Sequence, residues 1–329
     1  MINWGIIGCG NVTEVKSGPA FNKVGDSKLV AVMRRNAGLA EDYARRHEVP
    51  KVYSDAAALI NDKDINAVYI ATPPGSHAEY AIEVIKARKP VYIEKPMASS
   101  YADCVRINKA AEKFRMPVFV AYYRRTLPGF LMVKEMIEKG EIGKVRCIMI
   151  QLFKAPSEAE RSGNLPWRVK PEFSGAGHFF DLASHQLDYL DFLFGPVQKI
   201  TSIAVNQAGL YEAEDFVTAG FTFNNNIVGT GTWCFNSSLQ NGRDIIEIVG
   251  EKGSVKFTTF SFEPIIVTNE SGQREFINER PEHVQYYLIQ KIVKSLHGHG
   301  TVPSTGISAA RTSKVMDDIV KEYYKGRKK

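Results

Sequence analysis

One polar stripe within a strongly apolar segment supplies groups suited to proton transfer. Asp181, His185 and Asp188 are spaced four and then three residues apart, so on a helix they share one face. Polar groups in an apolar helix are costly unless they are satisfied or used. A histidine with a pKa near neutrality can take a proton from a hydroxyl group or return it to a carbonyl oxygen. We therefore predict that His185 is an acid/base and that Asp181 orients or tunes it.

Two other interpretations of this segment stay open. A capped helix with a satisfied, buried histidine would have the same pattern. A metal site of His178, Asp181 and His185 would have suitable ligand types, but the spacing matches no strong zinc signature. We therefore expect no metal.

A second group of polar residues follows two predicted strands. Thr72, Pro73, Pro74 and His77 follow one strand, and Glu94 and Lys95 follow the next. Ligands of open α/β sheets bind beyond the carboxyl ends of the strands. We therefore expect both segments to face the nicotinamide half of a dinucleotide, with Lys95 polarising a substrate hydroxyl or carbonyl group.

A glycine loop stands directly after the first strand. Gly8 would make the tight turn, and Gly10 would let the backbone approach a pyrophosphate over the next helix N-terminus. The predicted cofactor contacts in this loop are Gly8, Cys9, Gly10, Asn11 and Val12. Cys9 is expected to be a small filler rather than a redox group, because no second cysteine is near it in sequence.

Two arginines stand where an NAD-binding chain would carry an acidic residue. That position ends the second strand, about 20 residues past the loop, and contacts the ribose 2′-OH. Here it holds Arg34 and Arg35, which suit a 2′-phosphate because a guanidinium can hold it by two charge-assisted hydrogen bonds. We therefore predict a preference for NADP(H), with NAD(H) possible and Arg34 as the main contact.

The elements that position these residues form two regions. Residues 1–123 alternate helical patterns with short, unbroken apolar runs, which predicts a doubly wound parallel sheet of the Rossmann type. The runs are Trp4–Ile7, Leu29–Met33, Val52–Tyr53, Val68–Ala71, Val91–Ile93 and Val118–Ala121. Ser76 is predicted to cap a helix through a capping box with Glu79, and Ser99 or Ser100 to cap the next one.

The second region, residues 124–329, has a different order of predicted helices and strands. A helix near Leu131–Lys139 is followed by a strand near Val145–Phe153 and by a loop with Pro156, Gly163, Pro166 and Pro171. After a second helix, Phe180–Phe194, strand-like runs follow without helices between them, which predicts an α/β domain with a mixed or antiparallel sheet. These runs are Ile200–Asn206, Phe216–Phe223, Ile227–Phe235, Asp244–Val249 and Ser254–Phe260. Helices near Pro281–Leu296 and Ser308–Tyr324 close the chain, and we expect the last helix to pack back on the first region.

Composition argues against a nucleic-acid-binding protein and against a membrane protein. The net charge is +6, and four positive charges lie in the last five residues, at Lys325, Arg327, Lys328 and Lys329. A solvated basic tail explains this better than a nucleic-acid arm. No apolar run approaches a membrane span. The four dispersed cysteines form no CxxC pair, which suits a reducing cytoplasm.

Taken together, these motifs resemble the Gfo/Idh/MocA oxidoreductases over essentially the whole chain. The resemblance rests on Gly8-x-Gly10, Thr72-Pro73-Pro74 with His77, Glu94-Lys95-Pro96, Trp167-Arg168, and Gly175-x-Gly177-x-x-x-Asp181-x-x-x-His185-x-x-Asp188. It implies a Rossmann domain followed by a domain with a large, open, mostly antiparallel sheet. That sheet would join the chains of a homodimer or homotetramer.

The same resemblance implies roles for single residues. Lys95, Asp181 and His185 fall on the family's catalytic positions, and Trp167 and Arg168 match a segment that reaches the cofactor in some members. Tyr122 and Arg124 would line the substrate cleft, and we place His178 there as well. Thr13 departs from the third small residue of the glycine pattern, so the first helix is expected to pack less closely on the sheet.

The expected reaction is hydride transfer between NADP(H) and a hydroxyl or carbonyl carbon of a sugar, sugar derivative or cyclic polyol. Three alternatives remain open. One is a glycoside hydrolase of the same family that retains its NAD(P). Another is a non-catalytic NADP-binding regulatory protein, and the third is a metal-dependent lyase or hydrolase.

Overall fold

A computed structural model describes residues 1–326 of the chain. These residues form two compact units. The first comprises Met1–Thr126 with Pro281–Ala310, and the second comprises Leu127–Arg280 with the chain from Arg311 onward. The segment 281–310 thus belongs to the first unit, which the sequence division after residue 123 did not include. Lys325 lies in the last described turn, whereas the other charged residues of the tail, 327–329, lie outside the described residues.

The first unit contains a six-stranded parallel sheet. Its order is β3-β2-β1-β4-β5-β6, so the chain reverses direction across the sheet between β1 and β4. The strands are β1 Ile2–Ile7, β2 Ser27–Met33, β3 Lys51–Tyr53, β4 Ala67–Ile70, β5 Val91–Ile93 and β6 Val118–Val120. Most of their side chains are buried, as expected for strands covered on both faces, and the edge strand β3 is the exception. The predicted Rossmann sheet is confirmed.

Twelve α-helices lie within residues 1–326. They are α1 Asn11–Val15, α2 Gly18–Lys23, α3 Ala37–Arg46, α4 Ala56–Asn61, α5 His77–Lys86, α6 Tyr101–Phe114, α7 Pro128–Glu138, α8 Glu158–Arg161, α9 Pro171–Ser174, α10 His178–Phe194, α11 Tyr286–Leu296 and α12 Gly306–Tyr324. None of them is both long and apolar enough to cross a membrane.

The serine caps were predicted with mixed success. Ser100 caps α6, since its hydroxyl accepts from the Asp103 amide at 3.2 Å. The capping box at Ser76 is wrong, because that hydroxyl donates to the Thr72 hydroxyl at 2.8 Å and to the Pro73 carbonyl at 3.0 Å. A single turn of 3-10 helix, Pro74–Ser76, leads into α5 instead.

The second unit contains an eight-stranded mixed sheet. Its order is β14-β13-β12-β11-β7-β10-β9-β8, and β7 with β10 is its one parallel pair. The strands are β7 Val145–Phe153, β8 Lys199–Val205, β9 Phe216–Thr222, β10 Val228–Cys234, β11 Arg243–Gly250, β12 Gly253–Phe257, β13 Ile265–Asn269 and β14 Gly272–Phe276. The predicted mostly antiparallel sheet is confirmed.

The sequence did not predict β13 or the edge strand β14. In β14 only the last residue is even half-buried, so no apolar alternation marks it. Between β7 and α10, the predicted loop holds α8, a 3-10 turn Trp167–Val169 and α9.

Candidate functional site

The glycine loop joins β1 to α1, and it is tightly packed at Gly8 but not at Gly10. Gly8 has a φ of +94°, and a Cβ there would lie 2.9 Å from the Thr72 amide nitrogen. At Gly10 a Cβ would meet only the Gly8 carbonyl oxygen, at 3.9 Å. The turn therefore requires glycine at position 8. At Gly10 there is free space beside the backbone, where we expect a pyrophosphate to approach.

The Thr13 hydroxyl group fixes the backbone of this loop at Gly10. The group donates to the Gly10 carbonyl at 2.8 Å and accepts from the Gly10 amide at 3.1 Å. The close approach that the pattern assigns to a third glycine occurs at Gly18 instead, where a Cβ would lie 2.2 Å from the Thr13 carbonyl oxygen. The Tyr43 hydroxyl donates to that same carbonyl at 2.9 Å.

The two arginines after β2 have no acidic partner. Arg34 is half-buried, and its Nη1 donates to the Cys9 carbonyl at 3.3 Å, while Arg35 is exposed. Neither guanidinium pairs with a carboxylate anywhere in residues 1–326. Since Arg34 is tied to the glycine loop, its positive charge lies beside the expected pyrophosphate position. Burial raises the pKa of the Cys9 thiol to about 11, although Arg34 opposes the shift.

His77 links the loop after β4 to the turn after β5. Its Nε2 lies 2.7 Å from the Thr72 carbonyl oxygen, and its Nδ1 lies 3.1 Å from the Pro96 carbonyl oxygen. The ring is buried, and this burial lowers the pKa of His77. His77 thus holds two predicted cofactor segments together, and its own contact with a cofactor stays a prediction.

Glu94 is the centre of a buried network below Lys95. Its Oε1 accepts from the Tyr69 hydroxyl and from Nε2 of Gln285, both at 2.5 Å, and its Oε2 accepts from the Lys95 amide at 3.1 Å. The Tyr92 hydroxyl donates to Oε1 of Gln285 at 2.6 Å. Burial, with the Glu94 charge, raises the pKa of Tyr69 and of Tyr92 well above the usual range.

This network fixes the backbone from which the Lys95 side chain extends, next to a cis Lys95–Pro96 peptide. Sequence reasoning missed Gln285, which lies 191 residues beyond Glu94. It has no motif around it, and only the packing of the segment 281–310 onto the first unit brings it to Glu94.

Tyr122 and Arg124 follow β6 in the first unit. Tyr122 is part of the unit's hydrophobic core, and the buried Arg124 guanidinium lies 5.0 Å from the centre of the Tyr123 ring. Their expected place in the substrate cleft stays a prediction.

In the second unit, α10 begins at a supported N-terminus. The amide of Gly177, its N-cap, donates to Oε1 of the buried Glu214 at 3.1 Å, and the Tyr324 hydroxyl donates to Oε2 at 2.6 Å. A Cβ at Gly177 would lie 2.8 Å from the Glu214 carbonyl oxygen, so glycine is needed there. This contact sets where the polar stripe of α10 starts, and no local sequence signal marks Glu214.

The polar residues of α10 have different partners. Asp181 accepts from Nε of Arg168 at 3.1 Å, and that guanidinium lies over the Trp167 ring at 4.6 Å. His185 is buried and packs edge-on against Phe260, with the ring centres 5.9 Å apart. Asp188 accepts from the Thr312 hydroxyl of α12 at 3.2 Å. Asp181 and His185 thus lie toward the segments around Arg168 and Phe260, whereas Asp188 secures α12.

His178 has a buried acidic partner that the sequence analysis did not find. Its Nε2 is hydrogen-bonded to Oε1 of Glu160. The other Glu160 oxygen accepts from the Ser157 amide at 2.6 Å and the Ser157 hydroxyl at 2.7 Å. Burial alone would raise the pKa of Glu160, but the hydrogen bonds of His178 and Ser157 outweigh it and lower the pKa to about 2.

Two cavities of the second unit lie beside α10. The larger, about 440 Å³, is lined by Leu182, Arg243, Asp244 and Phe260 among others. The smaller, about 230 Å³, is lined by Glu160, Arg168, His178 and Phe235 among others. Among residues 1–326, no group of three His, Cys, Asp or Glu side chains is arranged to hold a metal ion.

These features define a Rossmann dinucleotide-binding unit combined with a second unit, whose mixed sheet is accompanied by α10 with its stripe of polar residues. Residues 2–122 match the family model described as an oxidoreductase family with an NAD-binding Rossmann fold, and residues 130–256 match the GFO/IDH/MocA C-terminal domain. The chain belongs to the GFO/IDH/MocA family of NAD(P)-dependent oxidoreductases, which act on CH–OH groups.

Individual relatives agree with this assignment. Oxidoreductase P35 of Formosa agariphila is 40% identical over 322 residues, which are 96% of this chain and 97% of that protein. Levoglucosan dehydrogenase of Pseudarthrobacter phenanthrenivorans is 27% identical over 69% of this chain and 64% of its own. A solved structure of levoglucosan dehydrogenase with NADH matches with a TM-score of 0.89 at 23% identity, covering 99% of this chain and 97% of that one.

Proposed function

We propose that this protein transfers a hydride between NADP(H) and a hydroxyl or carbonyl carbon of a sugar, sugar derivative or cyclic polyol. The observation that carries the cofactor preference is the pair of arginines, Arg34 and Arg35, after β2 without a carboxylate partner in residues 1–326. Relatives named levoglucosan dehydrogenase and inositol 2-dehydrogenase support a sugar or polyol substrate.

The residues of the first unit fit a dinucleotide phosphate. The loop is open at Gly10, and Arg34 reaches back to it through the Cys9 carbonyl. Gly8 to Val12 would hold the pyrophosphate, and Arg34 would bind the 2′-phosphate by charge-assisted hydrogen bonds. The bound nicotinamide supplies or accepts the hydride. The segments around Thr72 and Glu94 would border the nicotinamide half, as would Trp167 and Arg168.

His185 is the proposed proton carrier. It lies buried on α10, where the neutral imidazole can accept the hydroxyl proton in oxidation and the imidazolium can donate a proton to the carbonyl oxygen in reduction. Lys95 holds the reacting oxygen by its ammonium group. The Asp181 carboxylate places a negative charge near His185, and the Arg168 guanidinium forms an ion pair with that carboxylate. Because NADPH usually serves reduction in cells, we favour carbonyl reduction as the physiological direction.

We also propose that the protein is a cytoplasmic homo-oligomer. Cys9, Cys147 and Cys234 are free thiols, as expected in a reducing compartment. The sheet of the second unit has an uncovered face: strand pairing places Met149, Val228 and Ile203 on it, and their exposures are 41%, 47% and 62%. A second copy of this chain would cover these apolar groups.

The decisive experiment is a panel of sugars and polyols assayed with NADP(H) and with NAD(H). A sustained absorbance change at 340 nm with a sugar, larger with NADP(H), is the expected result. Equal or better activity with NAD(H) would refute the cofactor preference. Glycoside cleavage without net cofactor turnover would instead identify a hydrolase that retains its NAD(P).

The His185→Ala variant separates an enzyme from a binding protein. We expect turnover to fall at least about 100-fold, the scale of general acid–base catalysis, while NADPH binding followed by fluorescence stays unchanged. Equal turnover in both proteins would remove His185 from the mechanism.

A further inference from the structure

Lys154 lies on the wall of both cavities of the second unit. It follows β7 directly, is exposed, and belongs to the lining of the larger and of the smaller cavity. Its ammonium group has no ion-pair or hydrogen-bond partner in residues 1–326. A lysine so placed offers a positive charge to whatever occupies either cavity.

The other charged groups of the smaller cavity are already paired. Glu160 is bound to His178 and to Ser157, and Arg168 is bound to Asp181. Phe235 supplies an apolar wall that packs on His178, with the ring centres 5.3 Å apart. Lys154 is therefore the charged group of this cavity lining that has no hydrogen-bond or ion-pair partner within residues 1–326.

The larger cavity is lined by two positive groups, Lys154 and Arg243, and by two carboxylates, Asp244 and Glu263. Both carboxylate oxygens of Asp244 accept from backbone amides of residues 259–261, at 2.6 to 3.3 Å. Within residues 1–326 Arg243 pairs with no carboxylate, and its Nη1 donates to the side-chain oxygen of Gln151 at 3.2 Å. Glu263 is exposed at this cavity, where solvent screens its charge.

Both cavities border the first turns of α10. His178 lines the smaller one and Leu182 lines the larger one. Phe260, which also lines the larger cavity, packs on the His185 ring. A substrate group bound at Lys154 would thus lie beside the helix that carries the proposed acid/base.

We propose that Lys154 binds an anionic group of the substrate, so that the natural substrate is an acidic sugar carrying a carboxylate, a sulfate ester or a phosphate ester. This inference rests on the proposed function and narrows its substrate class. Lys154 is assigned to specificity, since nothing in the hydride or proton transfer requires its charge.

The test compares wild-type protein with Lys154→Gln and with the control Lys144→Gln. Lys144 is exposed, precedes β7, and lines neither cavity. The probes are glucose, glucuronate, glucose 6-sulfate and glucose 6-phosphate, with the galactose and galacturonate pair in addition. Each is assayed for KM and kcat, and each is titrated by calorimetry into the NADPH-loaded protein.

We expect at least one acidic probe to bind and react better than its neutral parent. Loss of a charge-assisted contact in Lys154→Gln should raise KM for that probe about tenfold or more, with kcat nearly unchanged. The neutral parent and the Lys144→Gln protein should show no such change. The probe with the largest loss identifies which anionic group is recognised.

Two results would overturn the proposal, and they differ in what they imply. Neutral sugars that react as well as the acids, or an unchanged KM for the acids in Lys154→Gln, would refute the role of Lys154 and leave the oxidoreductase proposal intact. Absence of turnover and of binding for every probe, neutral and acidic, would contradict the proposed sugar substrate itself.

Discussion

The proposed preference for NADP(H) rests mainly on one side chain, Arg34. The Arg34 guanidinium is held at the Cys9 carbonyl, so it needs little further ordering to meet a phosphate. Arg35 next to it is exposed and has no such contact. The two neighbouring arginines therefore offer a matched pair for testing the preference for NADP(H).

The Arg34→Ala change should weaken NADPH binding about 10- to 100-fold, because charge-assisted hydrogen bonds to a phosphate would be lost. NADH binding should change by less than about threefold. Fluorescence titration of both cofactors measures this, with Arg35→Ala expected to have the smaller effect. Equal losses for the two cofactors would show that Arg34 does not contact the 2′-phosphate.

Cys9 offers a second prediction for a single residue. With a pKa of about 11, only about one Cys9 thiol in a thousand is ionised at pH 8, and the side chain is fully buried. Iodoacetamide at pH 8 should therefore label Cys147 and Cys234, which are half-buried, well before Cys9. Peptide mass spectrometry gives the order, and early labelling of Cys9 would contradict its assignment as an inert filler.

At the scale of elements, the site depends on supports that come from distant segments. Gln285 and Tyr69 hold Glu94 below Lys95, and Glu214 holds the N-terminus of α10. The connection between β7 and α10 is held through Ser157, Glu160 and His178. Because these supports are buried hydrogen bonds, their loss should displace a segment rather than one side chain.

The Glu160 contact predicts a pH dependence of stability. The pKa of Glu160 is lowered from 4.5 to about 2 by folding, so its stabilisation is present above pH 4.5 and is lost as the pH falls towards 2. Wild-type protein should be more stable than Glu160→Gln at pH 7, and the difference should shrink between pH 4.5 and 2. Urea unfolding at several pH values measures it.

Other carboxylates titrate in both proteins, so the difference between them isolates Glu160. The variant Glu158→Gln is a suitable control, because Glu158 is exposed in the same short helix, α8. A difference that stays constant over this pH range would contradict the assigned contact.

At the scale of the whole molecule, the two faces of the sheet in the second unit differ in burial. One face carries buried groups such as Ile148, Ile150 and Trp233, whereas the uncovered face presents Met149, Val228 and Ile203. Apolar groups in such a row lower the free energy of association when a second copy covers them.

The double change Met149→Arg with Ile203→Arg should therefore convert an oligomer into monomers. Sedimentation velocity measures the state, and circular dichroism checks that the sheet is retained. Ile307→Arg is the control, since Ile307 is 68% exposed and lies outside this sheet. An unchanged oligomer in the double variant, or a monomeric wild-type protein, would refute assembly through this face.

The sequence by itself determined the strands and helices that carry the motifs. Parallel strands buried on both faces leave unbroken apolar runs, and glycine loops mark where the backbone must turn, so both features are local. The positions of Gly8, Lys95 and the α10 stripe follow from that local pattern. Edge strands such as β14 leave no such pattern, because their side chains remain in solvent.

Only the tertiary structure decided which distant groups support these positions. The packing of separate segments brings Gln285 to Glu94 and Glu160 to His178. It also places Lys154 in the lining of two cavities. A hydrogen bond between residues far apart in the chain requires no particular spacing, so it leaves no periodic signal in the sequence. The motifs therefore indicate which residues are candidates for chemistry, and the packing of distant residues that no motif marks decides how those candidates are held.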